Sequence, residues 1–541
     1  MMRELFLLLA VCAFAAQQPL RVAFGSCSQT SRVQPLWPDI SSRTPDLFLW
    51  LGDIVYADTP IFYKWRRPAT LDAIASEYAA QHSQYGYTNF LERGGRDGRA
   101  PLVTGVWDDH DLGVNDGDER VPEAFKNSSQ TLLLDFLSEP SSSPRRIRSG
   151  VYGAWDIEMP SDGGPARLVA EGGARAPSES LAQRVRVVLL DVRTHRAPWG
   201  RASHDLLGAA QWAWLEEVLL DGARSGASVT LIGSGLQVIA PGDPPVTEEW
   251  ARAPGALARL VALLAHTRTR GAIFLSGDVH FAELNVASTE RVLGYKLWEI
   301  TSSGMTHSWG GIFKGTGVAL ATLGSTRSAL PVGAPWTPAD SDTPTPPSFC
   351  ASNIPWRAYA VSIFTGLGFS TPDGQQDPGL CLYTELNWGE IDISAEGVAL
   401  RIWGEDGAVH LSHTVAPTDL DIIEHADSLP ASVIAACALA DLGAGVPAAC
   451  APVLAEILPP AFFGVLRQHV AHVITLLFII FPLFATAAMS VVVFQALRAA
   501  PKLAPTLPPL LVQAGILASA AILISLLLRG PVAFIADALC K

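Results

Sequence analysis

Residues 47–58 read LFLWLGDIVYAD. The first five are large and apolar with no polar alternation, which marks a strand buried on both faces and excludes a half-solvated one. Gly52-Asp53 ends the run. A glycine there suits a tight turn in which the backbone comes close to another group. Asp53, Tyr56 and Asp58 follow at once. The same pattern recurs at 20–27 (LRVAFGSC), 102–111 (LVTGVWDDHD) and 272–280 (AIFLSGDVH). Each is an apolar run that gives way abruptly to thiol, carboxylate or imidazole.

Working outward, two further runs read as strands, 185–190 and 228–232. Helical periodicity falls between the strands, at 70–81, 122–137, 208–220 and 255–266. Strand–helix alternation with fully apolar strands predicts an α/β fold whose sheet is covered on both faces. Residues 389–393 and 398–403 read as a hairpin or sheet edge, and 161–183 and 331–355 as surface loops. No internal repeat is present.

In an α/β sheet, ligands bind beyond the carboxyl ends of the strands, and the chemically active residues stand at those ends. They are Cys27, Asp53, Tyr56, Asp109, His110, Asn115, Asp278 and His280. One Gly-Asp after a strand is usually an ordinary turn, and one buried cysteine usually packs as a small hydrophobe. Asp108, Asp109 and Asp111 around His110 are different. Three carboxylates in four residues repel unless a cation or strong donors compensate. Four such loops at one sheet edge predict a metal centre.

The segments GSC, LGDIVYAD, VWDDHD, LLDVRTHR, LGAAQWAWLEEVL, LSGDVHFAEL, ITSSGMTHS and NWGEIDI occur in that order between about residues 20 and 415. Together they resemble the PhoD-like alkaline phosphatases, a branch of the calcineurin-like metallophosphatases. The resemblance implies a four-layer α/β/β/α metallophosphatase sandwich with an iron and calcium cluster (Fe3+ and Ca2+). It implies that Cys27, Asp53, Tyr56 and His280 bind the iron, a donor set that suits a transition metal. Asp53 would bridge to a second ion held by Asp109 and Asp278, with Asn115 as a further ligand; oxygen donors suit calcium. His110 would donate to substrate or leaving group. Arg193 would stabilise phosphoryl charge, the alternative being a salt bridge. His307 is open between lining the site and a structural role. Asp111 stands where many members have Glu, and Asn115 precedes Asp116 rather than a second Asn.

The whole chain has 541 residues, a formal net charge of −14, 49% hydrophobic and 17% charged residues, and a mean hydropathy of +0.25. That hydrophobicity excludes disorder as the main state. The acidic balance gives no nucleic-acid-binding patch. The apolar excess is concentrated in 430–541, where 112 residues carry eight charges. Two uncharged runs there, 470–497 and 503–528, are each long enough for a transmembrane helix. Arg498 and Lys502 in the loop between them place it on the cytoplasmic side. Arg3 followed by an apolar stretch and small residues near Ala15 reads as a signal peptide.

The expected organisation is a signal peptide (1–16), a metallophosphatase domain (17–429), a linker (430–469), a transmembrane helical hairpin (470–528) and a short tail (529–541). The catalytic domain would then be extracellular or lumenal. In an oxidising compartment Cys350 and Cys381 would pair, as would Cys437 and Cys450, and Asn127-Ser128-Ser129 is a glycosylation sequon. The function expected is a membrane-tethered phosphatase acting on phosphate monoesters or diesters. Its alternatives are a diesterase on membrane phospholipids or polymers and a non-catalytic ectodomain.

Overall fold

The computed structural model describes residues 18–62, 65–162, 164–199, 205–239, 248–308, 382–383, 385–442 and 446–457. The expected signal peptide, the hairpin 470–528, the tail 529–541, Cys350, Cys381 and the loop 331–355 lie outside the described residues. Every described residue belongs to one compact unit ending at Ile457. Among the described residues no helix is long and apolar enough to cross a membrane.

The fold is mixed α/β, built on two large sheets and one small one. The first large sheet holds β1 (Leu20–Gly25), β2 (Leu47–Leu51), β5 (Leu102–Val106), β14 (Asn387–Ser394), β15 (Gly397–Gly404) and β16 (Val409–Val415), in the order β16-β15-β14-β1-β2-β5. β1, β2 and β5 run parallel, and β14 to β16 form an antiparallel meander beside them. The second holds β6 (Gly153–Pro160), β7 (Arg167–Ala170), β8 (Leu181–Leu190), β9 (Val229–Ser234), β10 (Ala272–Ser276), β11 (Ala282–Ala287), β12 (Leu297–Ser302) and β13 (Leu382–Tyr383). Its order is β13-β11-β12-β10-β9-β8-β6-β7. Its centre, β8 to β10 and β12, is parallel, and its edges are antiparallel. β3 (Thr59–Phe62) and β4 (Trp65–Arg67) pair as a separate hairpin.

The period-2 geometry of a strand explains why β2 is apolar throughout. Phe48 and Trp50 meet the rings of Trp37, Tyr87 and Phe90 on the helices Trp37–Ser42 and Tyr85–Arg93. Leu49 and Leu51 join a core shared with Leu189, Leu231, Ile273 and Leu275 of the second sheet. Contact there is close: a Cβ on Gly233 would lie 2.9 Å from Leu51 Cδ2.

Two stretches differ from expectation. Residues 161–183 contain edge strand β7 and the start of β8, because Val169 is buried and the backbone pairs with β6. Short helices at Ala431–Ala438 and Ala451–Ile457 occupy much of the stretch expected to be a linker. A disulfide joins Cys437 to Cys450, and Arg259 of the helix Pro254–His266 donates to the Ala438 carbonyl at 3.1 Å.

Candidate metal centre

The parallel strands of both sheets send out loops that meet at their carboxyl ends. β1 leads into Cys27, β2 into Asp53, β5 into Asp108 to Asp111, β8 into Arg193, β10 into Asp278 and β12 into Ser303 to His307. Glycine makes the approach possible. Gly52 has φ of 87°, and a Cβ there would lie 2.4 Å from Asp108 Cβ. A Cβ on Gly277 would lie 2.5 Å from Ser26 Oγ and 2.8 Å from the Leu51 carbonyl, so the β1, β2 and β10 turns interlock with no space for a side chain.

Four of the expected ligands also adopt left-handed backbone. Cys27 has φ of 61°, Asp53 of 52°, Asp278 of 70° and His280 of 59°. Each such residue costs on the order of 1–3 kcal/mol and persists only where its surroundings fix it, typically at functional sites.

These turns bring Cys27 and Tyr56 onto Asp53, whereas the His280 ring is placed against His307. The Tyr56 hydroxyl donates to Asp53 Oδ2 at 2.8 Å, and the Cys27 thiol to the same oxygen at 3.5 Å. Ser303 Oγ lies 3.0 Å from Cys27 Sγ and accepts the His280 N–H at 2.7 Å. The Tyr56 ring lies 4.1 Å from His110 and 5.1 Å from His307, which itself lies 4.5 Å from His280. His307 is therefore buried among the site's rings. Asp53, Asp109 and His110 offer donor atoms within 4.8 Å of one another, and so do Asp108, Asp109 and Asp278.

The acids at 108–111 divide into three roles. Asp109 faces the cluster and accepts the Asp116 N–H at 2.7 Å. Asn115 stands half-buried one residue earlier in the same turn. Asp108 accepts from Arg193 Nε. Asp111 turns away and accepts from the N–H groups of Ile54 at 3.0 Å, Val55 at 3.2 Å and Asp108 at 3.1 Å, and from Tyr78 at 3.2 Å. It thereby fastens the Asp53 turn to the Asp109 turn.

Part of this arrangement has no signal in the local sequence. Arg193 is fully buried, with Nη1 on Glu248 and Nη2 3.7 Å from Asp109 Oδ1 and 3.9 Å from Asp278 Oδ1. Glu248, which also takes Arg196 at 3.0 Å, carried no signal, since it lies in no strand-end motif. Asp58 was visible in the LGDIVYAD segment but had no assigned task. Its Oδ1 accepts from His110 Nδ1 at 2.8 Å.

Burial sets the electrostatics. It pushes the Asp53 carboxyl well above the usual range, opposed by His110 and reinforced by Asp109, Asp108 and Asp111. Burial and Asp108 do the same to Asp278 against Arg193. Burial and Asp53 raise the Cys27 thiol and the Tyr56 phenol. At Asp109 burial is outweighed by His110 and Arg193, which hold the carboxyl below its usual value. At His110 burial is overcome by Asp109, Asp53 and Asp58, which push the imidazole up to about 10. Burial takes His280 down to about 4, leaving it neutral, as a metal ligand must be.

No protein-family model matches the chain, and no curated protein matches it. Two of the solved structures that show likeness are informative about the extent of the match. One, described as "Structure of PhoD", aligns with 54% of this chain and 57% of its own at 18% identity and a TM-score of 0.37. The other, "GAP50 the anchor in the inner membrane complex of Plasmodium", aligns with 80% of this chain and 98% of its own at 11% identity and a TM-score of 0.39. The chain spans little more than half the length of the first. At these scores neither likeness bears on chemistry, which rests on the residues themselves.

Proposed function

We propose that this chain is a metal-dependent phosphoester hydrolase. The observation that carries the reading is the gathering of Asp53, Asp108, Asp109 and Asp278, with Cys27 and Tyr56 on Asp53, at the strand ends, where these acids outnumber the cations His110 and Arg193 that face them. Asp53 and Asp278 are driven toward protonation, and buried Asp108 Oδ2 and Asp109 Oδ1 accept no hydrogen bond. Such a donor set fits metal ions. Cys27, Asp53, Tyr56 and His280 would hold a transition metal, iron by the resemblance of the motifs. Asp53, Asp109, Asn115 and Asp278 would hold a hard cation such as calcium. The chemistry such ions supply is neutralisation of phosphoryl charge and acidification of a water.

The chain's own residues do the rest. His110 is anchored through Nδ1 on Asp58, and in the ion-free chain Asp109, Asp53 and Asp58 favour its protonated form; a ring so protonated would have Nε2–H to give to a leaving oxygen. Arg193 Nη2 has no hydrogen-bond partner and faces Asp109 and Asp278, where it adds positive charge beside the phosphoryl site.

The wider architecture belongs to the same proposal. The two sheets stack between helical layers as α/β/β/α, and segments 470–528 tether the domain to a membrane after export. The Cys437–Cys450 disulfide supports an oxidising compartment.

The test is an assay of the full chain in detergent with iron and calcium, using 4-nitrophenyl phosphate and bis(4-nitrophenyl) phosphate. Turnover of either, abolished by Asp53→Asn, is expected. No turnover of either ester with any metal at any pH refutes the hydrolase and favours the ectodomain. Iron held by Tyr56 and Cys27 should give a visible absorption band that Tyr56→Phe shifts. A colourless, iron-free, active enzyme rejects iron alone. Protease protection of the large domain on the cytoplasmic side would reject the topology.

A further inference from the structure

Arg193 stands between two groups of carboxylates. On one side its Nε donates to Asp108 Oδ1 and its Nη1 to Glu248 Oε2. On the other, Nη2 stops 3.7 Å from Asp109 Oδ1 and 3.9 Å from Asp278 Oδ1 and makes no hydrogen bond. Both separations lie beyond the roughly 2.7–3.2 Å of an N–H···O hydrogen bond. A buried guanidinium beside two carboxylates closes on them unless another group holds it back.

Glu248 is placed to do that. Its side chain is 5% exposed, and the backbone that follows it is pinned. Glu249 bridges Gln237 beyond the end of β9, and the Trp250 N–H donates to the Gln237 carbonyl at 3.0 Å. Both carboxylate oxygens are committed. Oε2 takes Arg193, and Oε1 takes Trp199 Nε1 together with Arg196 Nη2 at 3.0 Å. Arg196 in turn donates to the carbonyls of Asp116 at 2.6 Å and Gly117 at 3.1 Å, on the turn that follows Asp109. The Trp199 ring packs against the guanidinium carbons of Arg196 at 4.7 Å and Arg252 at 4.5 Å. Glu248 thus ties the loops that follow β5, β8 and β9 to one carboxylate.

We infer that Glu248 is a positioning residue that holds Arg193 off Asp109 and Asp278, so that both carboxylates stay available to the hard cation and Nη2 stays free for phosphoryl oxygens. The inference rests on the phosphoester reading and deepens it. Without the Glu248 charge, Asp108 alone holds Arg193 on that side. The guanidinium then closes onto Asp109 and Asp278 and competes with the ion for their oxygens. Glu248 touches no reacting atom and acts through Arg193.

Ion binding reads this without any turnover. The full chain in detergent is titrated calorimetrically with calcium alone. Glu248→Gln should weaken calcium about tenfold or more, the scale for groups that orient metal ligands. Glu248→Asp keeps the charge and should recover most of that loss. Arg193→Gln removes the competitor and should bind calcium at least as tightly as the unmodified chain. Adding Glu248→Gln to Arg193→Gln should cost far less than Glu248→Gln alone, because its route through the arginine is gone. An equal cost in both backgrounds overturns the inference, since Glu248 would then act as a ligand or a brace without Arg193. Unchanged affinity in Glu248→Gln also overturns it, as does an unmodified chain that does not bind calcium. If Glu248→Gln does not fold, Arg193→Gln decides: tighter calcium supports the inference and weaker calcium overturns it. Hydrolysis by the unmodified chain with calcium affinity indifferent to Glu248 removes the positioning role and leaves the hydrolase. The expected coupling with neither nitrophenyl ester turned over leaves the positioning role and removes the hydrolase.

Discussion

At the scale of the residue, the centre is a set of neighbours with unlike tasks. Asp109, His110 and Asp111 are consecutive, yet one faces the cluster, one holds a proton and one ties two turns together. Their alternation in sequence gave no hint of this division. It follows from the short helix Asp109–Leu112, which turns successive side chains through about 100°. Asp58 and His110 allow a specific prediction. His110→Gln should lower kcat by about 10²- to 10⁴-fold, the range for loss of a general acid. Asp58→Asn should lower kcat by about tenfold or more, since it leaves the ring without its anionic anchor. For both variants the loss should grow as the leaving group becomes more basic. Steady-state rates over a series of aryl phosphates check this, and equal losses across the series would show that His110 does not protonate the leaving oxygen.

At the scale of the element, the strands were legible because each is an apolar run ended by glycine or a polar cluster. The edges were harder. β7 is short, half exposed and lies in a stretch rich in Gly, Ala and Ser, so its pairing with β6 is decided by the neighbour and not by its own composition. β16 yields a prediction about pH. His413 on this strand stacks on Trp298 of β12, with centroids 4.1 Å apart, so it bridges the two sheets. Burial takes its imidazole down to about 4, with Lys296 adding to the effect and Asp419 opposing it. The unfolded chain, with an ordinary histidine near 6.5, therefore binds the proton more readily than the fold. The stabilisation is complete above about pH 6.5 and is lost as pH falls toward 4, by about 2 kcal/mol. His413→Gln should flatten that part of the stability curve. Denaturant unfolding between pH 4 and 7 measures it, and an unchanged slope would refute the role of this ring.

At the scale of the whole molecule, the two sheets and the metal centre should stabilise one another. The ligands come from turns of both sheets: Cys27, Asp53 and Asp109 from the first, Asp278 and His280 from the second. An ion bound by all of them favours the folded state alone. Chelation should lower Tm by several degrees, since about 1 kcal/mol shifts Tm by roughly 2–4 °C in a domain of about 150–250 residues and by less in a larger one, and an ion held by this many ligands contributes several kcal/mol. Reloading the protein should release protons at neutral pH, because burial raises Asp53 and Asp278 in the metal-free state. Calorimetry in two buffers of different ionisation enthalpy reads that release, and its absence with Tm unchanged would argue against the site. Local patterning and short-range spacing were enough for the α/β class, the buried strands, the loops that carry Cys27, Asp53, Tyr56, Asp109, Asp278 and His280, and the pairing of Cys437 with Cys450. Tertiary contacts settled the strand order within each sheet, the bracing of the turns by Asp111, and the hold of Glu248 on Arg193 and of Asp58 on His110. Those outcomes depend on contacts between residues tens to hundreds of positions apart, and no local pattern encodes which buried charge will meet which.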